Sequence, residues 1–343
     1  MTPIELRSDN AASVTPEILQ AVVAANGGSA LAYGGDEVTA RLEELVREVF
    51  EHPTARVFPV TSGTAANALS LSALCPPWGS VLCHETAHIM NSEGGATSLL
   101  AGGAVMKGVG GDDFRLSPDA LQATLDGTRW GDPHHSQPAA LSLTQPTDLG
   151  TVYPVADVEA LVAVVKPHDL RVHMDGARLG NAIAALGCTP ADLTWRAGVD
   201  VLSLGATKNG ALSAEAIVVF DDRAADELVY RTKRSGHVTS KMRFQSAQLI
   251  AYLSDGLWLR NAANANARMA ELAAGLERLG VGLVNRPDVN MVFAVLADDV
   301  ADRLERAGVL FYRMGGMVRF VTSWETTAQE VEAVLAALEA ALG

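Results

Sequence analysis

The sequence predicts an α/β fold: a large domain built on a mostly parallel sheet with helices on both faces, then a smaller α+β domain. Two observations carry this. Through the first two-thirds of the chain, short apolar runs alternate with helical segments, the pattern of βαβ units. From about residue 239 the texture changes to two long helical stretches, several short strands and a final helix. The expected division is residues 1–240 for the large domain, N-terminal segment included, and 241–343 for the smaller one. A length of 343 residues is compatible with two domains.

The elements follow in order. "RVFPV" from Arg56 is rich in β-forming residues and reads as a strand; "TSGT" is the turn after it, and "AANALSLSAL" is a helix. "SVLC" and "AALSLT" (from Ala139) are further short strands, and "VADVEALVAVV" after Pro154 is helical. "LRVHM" from Leu170 is a strand that ends at Asp175. "DVLSLG" and "EAIVVFD" complete the sheet. Beyond it, "SKMRFQSAQLIAYLSDG" and "LWLRNAANANARMAELAAGLERLG" are the long helices. "NMVFAVL", "VLFYR" and "MVRFVTS" are strands, and "TAQEVEAVLAALEAAL" is the last helix. Ligands of such sheets bind beyond the carboxyl ends of the strands, so the residues just after each strand are the candidates for chemistry.

Composition narrows the function. Hydrophobic residues at 48% supply a large core. A net charge of −14 argues against a nucleic-acid or anionic-membrane surface. No apolar run is long enough to cross a bilayer, and "MTPIELRSDN" lacks the basic and apolar regions of a signal peptide. The 3 cysteines, Cys75, Cys83 and Cys188, fit reduced thiols better than a disulfide framework. A cytoplasmic protein acting on a small molecule is expected.

One short pattern points elsewhere. "HETAH", His84 to His88, matches H-E-x-x-H, in which two histidines one helical turn apart hold zinc and the glutamate is the base. The extension of that motif wants Gly at 91 and His at 94, where this chain has Asn91 and Gly94. His84 also follows a strand directly, so the pattern is expected to straddle a strand end. No metal is expected.

Three other stretches outweigh it. "TSGTAAN", Thr61 to Asn67, lies between strand and helix; Gly63, the hydroxyls of Ser62 and Thr64, and a helix N-terminus make a phosphate cup. "HMDGAR" places Asp175 at a strand end, where a carboxylate can pair with a protonated ring nitrogen. "LGATKNG" sets Lys208 among small residues after another strand, where desolvation makes the amine a nucleophile able to form a Schiff base. A phosphate cup, a pyridinium partner and a Schiff-base lysine are the handles of pyridoxal 5'-phosphate (PLP).

With "LRSDN", "SGTAAN", "HMDGARLGNA", "SLGATKNG", "RTKRSGH", "SKMRF" and "VRFVTS", the chain resembles the threonine aldolase/β-eliminating lyase family of fold-type-I PLP enzymes over nearly its whole length. The branch it most resembles is the bacterial low-specificity L-threonine aldolases, which have phenylserine aldolases among their relatives. The resemblance implies that Lys208 holds the cofactor covalently, Asp175 pairs with its ring nitrogen, and Ser62, Gly63 and Thr64 bind its phosphate. His88 is implied to stack on the ring. Ser8, Arg178 and Arg319 are implied to hold the substrate carboxylate. Arg234, in the basic stretch 231–234, is implied to reach a neighbouring subunit's phosphate, and Tyr33 to lie near a subunit boundary. His134, or its neighbour His135, lines up with a histidine near the substrate hydroxyl. The base is left open among His134, His88 and an ordered water. "TQPTDLG" departs from a family variant with Asn-Thr-His-Asn here, which leaves the side-chain contacts of the substrate open. The implied reaction is retro-aldol cleavage of L-threonine or L-allo-threonine to glycine and acetaldehyde, or of phenylserine to glycine and benzaldehyde. The alternative is β-elimination or transamination, which share the anchors. The implied assembly is a homotetramer, a dimer of dimers with active sites at subunit interfaces.

Overall fold

The structure is a computed structural model that describes residues 3–343. The chain opens with a short strand, β1 (Ile4–Glu5), and enters the large sheet at β2 (Arg56–Val60). There follow β3 (Gly79–His84), β4 (Val105–Val109), β5 (Gln137–Thr144), β6 (Arg171–Gly176), β7 (Val201–Leu204) and β8 (Glu215–Val219). Their order across the sheet is β2-β8-β7-β6-β5-β3-β4. Neighbours from β7 to β4 pair in parallel, and β8 runs antiparallel to both β7 and β2. The carboxyl ends of β2, β3, β5, β6 and β7 therefore lie along one rim, together with the amino end of β8.

Every residue of β3, β7 and β8 is buried. Strands covered on both faces read as apolar runs without alternation, as these do. The helix Gly63–Leu74 follows the same logic: Ala66 to Ser72 are all buried, and its small Ala and Ser residues let it lie close to the sheet.

Five further strands build the small domain: β9 (Gly282–Leu283), β10 (Met291–Val295), β11 (Val309–Leu310), β12 (Tyr312–Met314) and β13 (Met317–Val321). Four of them form an antiparallel sheet in the order β12-β13-β10-β9. The run "VLFYR" splits into β11 and β12 around Phe311, whose ring meets Phe320 at 5.2 Å in the core. The last helix, Ala328–Leu342, starts from a reciprocal cap between Thr327 and Glu330. Among the described residues no helix is long and apolar enough to cross a membrane.

Both ends of the expected large domain make contacts that bear on the division. β1 pairs in parallel with β11, and Ile4 and Leu6 enter the small domain's core, while Ile18 and Leu42 further along pack in the large one. The chain beyond residue 240 also contributes to both cores. Helix Arg243–Leu253 and the start of Leu257–Arg278 pack into the large core through Leu249, Tyr252, Leu257 and Trp258. Further along the second helix, Met269, Leu272 and Leu276 enter the small core. A helix of 22 residues is about 33 Å long and reaches both.

The loop after β5 is clamped between the domains. Thr147 and Thr151 bond through their hydroxyls and backbone, and Asp288 of the small domain accepts from Val152 N–H at 3.0 Å. Gly150 has φ +86°, and a Cβ there would sit 2.7 Å from the Met291 carbonyl oxygen. Gly150→Ala should destabilise the protein by roughly 1–3 kcal/mol, read as a lower urea midpoint. An unchanged midpoint would show that the two domains do not meet there this closely.

Candidate active site

A cavity of about 270 Å³ opens at the rim of strand carboxyl ends. Its lining includes Ser62, Gly63, Thr64, His88, Asp175, Arg178 and Lys208. Larger hollows exist, including an apolar groove of about 500 Å³ beside Tyr33 and a cavity of about 320 Å³ at the amino ends of β6 and β7. Volume does not single out the site; the convergence of ionisable groups at the rim does.

The phosphate cup is local structure. Ser62 caps the helix Gly63–Leu74 in extended conformation and its hydroxyl accepts from Ala65 N–H at 3.2 Å. The other amides of the first turn have no helical acceptor and face the positive end of the dipole. A Cβ on Gly63 would meet nothing within 4 Å, so that end of the helix is open to an anion.

Asp175 is the penultimate residue of β6 and is 3% exposed. One oxygen accepts from Ala177 N–H at 3.0 Å and the other from Asn67 Nδ2 at 2.9 Å. Two residues earlier on the same strand face, His173 is fully buried between Ser142 and Ser203, 2.9 Å from each hydroxyl. Burial pushes its pKa down to about 4, so it is a neutral bracket beneath the carboxylate.

Lys208 sits on the tight turn Thr207–Asn209 just after β7. The turn is pinned on both sides: Glu215 accepts from Ala206 N–H at 2.7 Å, and Asn209 Nδ2 donates to Trp258 O at 2.8 Å. Among the described residues the Lys208 amine has no hydrogen-bond or ion-pair partner. Gly205 brings this turn against the β6 loop, since a Cβ there would lie 2.1 Å from the Ala177 carbonyl oxygen. That close approach sets Lys208 and Asp175 around one cavity.

Arg178 is placed differently from a free carboxylate fork. Its Nε and Nη2 donate to Asp9 at 2.6 and 2.9 Å, with the pair nearly buried, so only the Nη1 edge is uncommitted. Burial works to raise the Asp9 carboxyl, but the Arg178 charge and hydrogen bonds outweigh it and hold the group below the usual range. Asn290 of the small domain also donates to Asp9, at 3.1 Å. Arg319 lies outside the cavity lining, on β13. Its Nη2 donates to Arg7 O at 3.1 Å, its guanidinium sits 5.2 Å from the Tyr312 ring, and its Nε is buried without a partner. Burial and the neighbouring Arg178 charge lower its affinity for its proton. Ser8 caps the turn Asp9–Ala11 and sits beside Asn10, which lines the cavity.

The H-E-x-x-H pattern straddles a strand end, as expected. His84 closes β3 and His88 opens the short helix His88–Asn91. The His84 ring is engaged away from the cavity, Nδ1 with Thr86 Oγ1 at 2.7 Å and Nε2 toward Gly111 O at 3.4 Å. Among the described residues no three His, Cys, Asp or Glu side chains gather as a metal-holding group. His88 instead faces the cavity, and its Nδ1 lies 2.9 Å from Glu93 Oε1.

Three expected residues lie elsewhere in the chain. His134 is a correction: it precedes β5, so it sits at the amino end of the sheet in a hollow with Trp78 and Val105. The whole length of β5, 8 residues or about 26 Å, separates it from the rim. His135 shares that end. Both are exposed, and neither can serve this chain's own cavity. Tyr33 lines the 500 Å³ groove, and Arg234 is exposed at the end of helix Asp222–Arg234, whose Thr232 and Lys233 line the same groove. Sequence reasoning missed Asn67, Glu93, Asp148 and Glu215, which all line the cavity. Asn67 was within a quoted motif, and Asp148 within the stretch noted as a departure. Glu93 and Glu215 carried no signal without the fold. Burial, with Asp175 nearby, raises the Asp148 carboxyl above the usual range.

An unpartnered lysine, a buried strand-end carboxylate and an open helix N-terminus around one cavity fit PLP: an amine for its aldehyde, a counter-charge for its ring nitrogen and donors for its phosphate. Sheet and site together define a fold-type-I PLP enzyme. The chain belongs to the β-eliminating lyase family, whose model matches residues 5–299. It is 39% identical to the low specificity L-threonine aldolase of Pseudomonas sp. (strain NCIMB 10558), with 98% of each chain covered. It is 40% identical to the low specificity L-threonine aldolase of Pseudomonas aeruginosa, covering 95% of this chain and 94% of that one. The structure of Leishmania major threonine aldolase matches with a TM-score of 0.91 at 26% identity, over 98% of this chain and 99% of that one. The serine palmitoyltransferase of Sphingomonas wittichii, at 17% identity and TM-score 0.74 over 99% and 87%, shares the fold.

Two predictions follow from the site. Lys208→Ala should abolish turnover and the visible absorption of lysine-bound cofactor; wild-type absorption in this variant would remove Lys208 from the site. Glu85→Gln and prolonged EDTA dialysis should leave activity close to wild type, whereas a zinc site with Glu85 as base would lose nearly all activity in both.

Proposed function

We propose that this protein is a PLP-dependent aldehyde-lyase that cleaves β-hydroxy-α-amino acids between Cα and Cβ. L-Threonine and L-allo-threonine give glycine and acetaldehyde; phenylserine, its aromatic counterpart, gives glycine and benzaldehyde. The observation that carries the reading is the convergence of Lys208, Asp175 and the Gly63–Leu74 helix N-terminus on one cavity. Similarity to the named threonine aldolases supports the reaction.

When bound, PLP supplies an electron sink for the pair left at Cα. The Lys208 amine would hold the cofactor through its aldehyde carbon. Asp175, fixed by Ala177 and Asn67, keeps a proton on the ring nitrogen. Ser62, Gly63 and Thr64 would bind the phosphate, and His88, on the same cavity, would stack against the ring. Arg319, with no carboxylate partner among the described residues, pairs with the substrate carboxylate, helped by Ser8 and the Nη1 edge of Arg178. We place the protein in the cytosol as a homotetramer. Tyr33 and Arg234 serve a neighbouring subunit's site; Tyr33 lines a groove away from this cavity, and Arg234 ends the helix whose Thr232 and Lys233 line that groove, which supports the reading.

Purified protein given L-threonine and no keto acid should release acetaldehyde and glycine in equal amounts. Ammonia with a keto acid would mean elimination, and activity only with an added keto acid would mean transamination.

A further inference from the structure

His88 does not stand alone. Its Nδ1 lies 2.9 Å from Glu93 Oε1, and the same oxygen accepts from Asn67 Nδ2 at 2.8 Å. That amide nitrogen also donates to Asp175 at 2.9 Å. A hydrogen-bonded line thus runs from His88 through Glu93 and Asn67 to Asp175. The Glu93 side chain is 1% exposed and its Oε2 is buried without a partner, while the His88 side chain is 40% exposed to the cavity. A buried carboxylate that receives an imidazole N–H selects the tautomer, holds the ring and strengthens the other nitrogen as a base. His88 Nε2 has no protein partner among the described residues.

We propose that Glu93 is the positioning residue of this site: it binds His88 through Nδ1 so that Nε2 takes the proton of the substrate's β-hydroxyl. The proposal rests on the retro-aldol reading above. In the step, the O–H proton moves to His88 Nε2, the Cα–Cβ bond breaks and the hydroxyl carbon becomes the aldehyde. The electron pair stays with the amino-acid carbon, where a proton later completes glycine, so the substrate's atoms are divided between two products. With His134 at the far end of the sheet, His88 is the imidazole this chain itself offers. Its surroundings agree. The Glu93 hydrogen bond raises the His88 pKa against burial, and the charges of Asp148 after β5 and Asp175 on β6 act in the same direction. Arg178 and Lys208 are the cations lining the same cavity.

The test uses full-length holoenzyme and Glu93→Gln, which keeps the shape and an acceptor oxygen but removes the charge. Glu93→Asp is the conservative partner. The His88 ring is titrated by nitrogen NMR, assigned with His88→Gln, beside the pH profile of aldehyde release from L-threonine. In Glu93→Gln, His88 should titrate at lower pH, and the acid limb of kcat/KM should move down with it. The plateau kcat should fall roughly ten- to a hundredfold, with PLP affinity close to wild type. Glu93→Asp should recover part of both the rate and the titration. An unmoved His88 titration, or a rate loss with an unshifted profile, overturns the role of Glu93. Wild-type protein that releases no aldehyde overturns the reaction itself, which the ring titration does not depend on.

Discussion

The buried pair between Asp9 and Arg178 is the contact on which the site's geometry depends. Arg178 follows the end of β6, Asp9 follows the first strand of the chain, and Asn290 of the small domain donates to the same carboxylate. Three parts of the molecule distant in sequence meet at one oxygen pair. Removing one partner of such a pair strands a buried charge, at a cost of about 3–5 kcal/mol. The same contact fixes Ser8 and Asn10 beside the cavity and leaves Arg178 only one free edge. Because Asp9 is held below its ordinary range, the stability it adds is present above that range and is lost as pH falls through its folded value.

Around this anchor the acidic groups differ in what holds them. Asp175 has two donors, Glu215 has the Ala206 amide, and Glu93 has Asn67 and His88. Asp148 has no hydrogen-bond or ion-pair partner among the described residues and stays open to the cavity. The anchored groups stay in fixed places while a substrate enters, which is what preorganisation requires. Tight loop contacts do the aligning. Gly205 lets the Lys208 turn rest on the β6 loop, and Gly150 lets the β5 loop rest on the small domain.

Much of this was legible in the sequence because the relevant signals are local. The cup at Ser62 to Thr64, the strand-end Asp175 and the lysine turn after β7 each combine a strand, a small residue and a polar group within a few positions. The long helices and the capped final helix were also readable from pattern. What escaped depends on packing. β1 is too short to announce itself and acquires its role only by pairing with β11. Glu93 looks like a surface residue until the helix Gly63–Leu74 brings Asn67 against it. His134 was placed by its distance from a motif, yet that distance runs along β5 toward the wrong end of the sheet. The "HETAH" pattern was read against its five letters because His84 directly follows a strand, and the strand end does divide it.

The most direct measurement is the visible spectrum of the purified, PLP-loaded protein before and after L-threonine, with acetaldehyde assayed in the same cuvette. The account predicts a lysine-bound cofactor band that changes on mixing, with aldehyde and glycine formed in equal amounts over many turnovers. A protein that binds no PLP, or whose spectrum responds to L-threonine while no aldehyde appears, would contradict it.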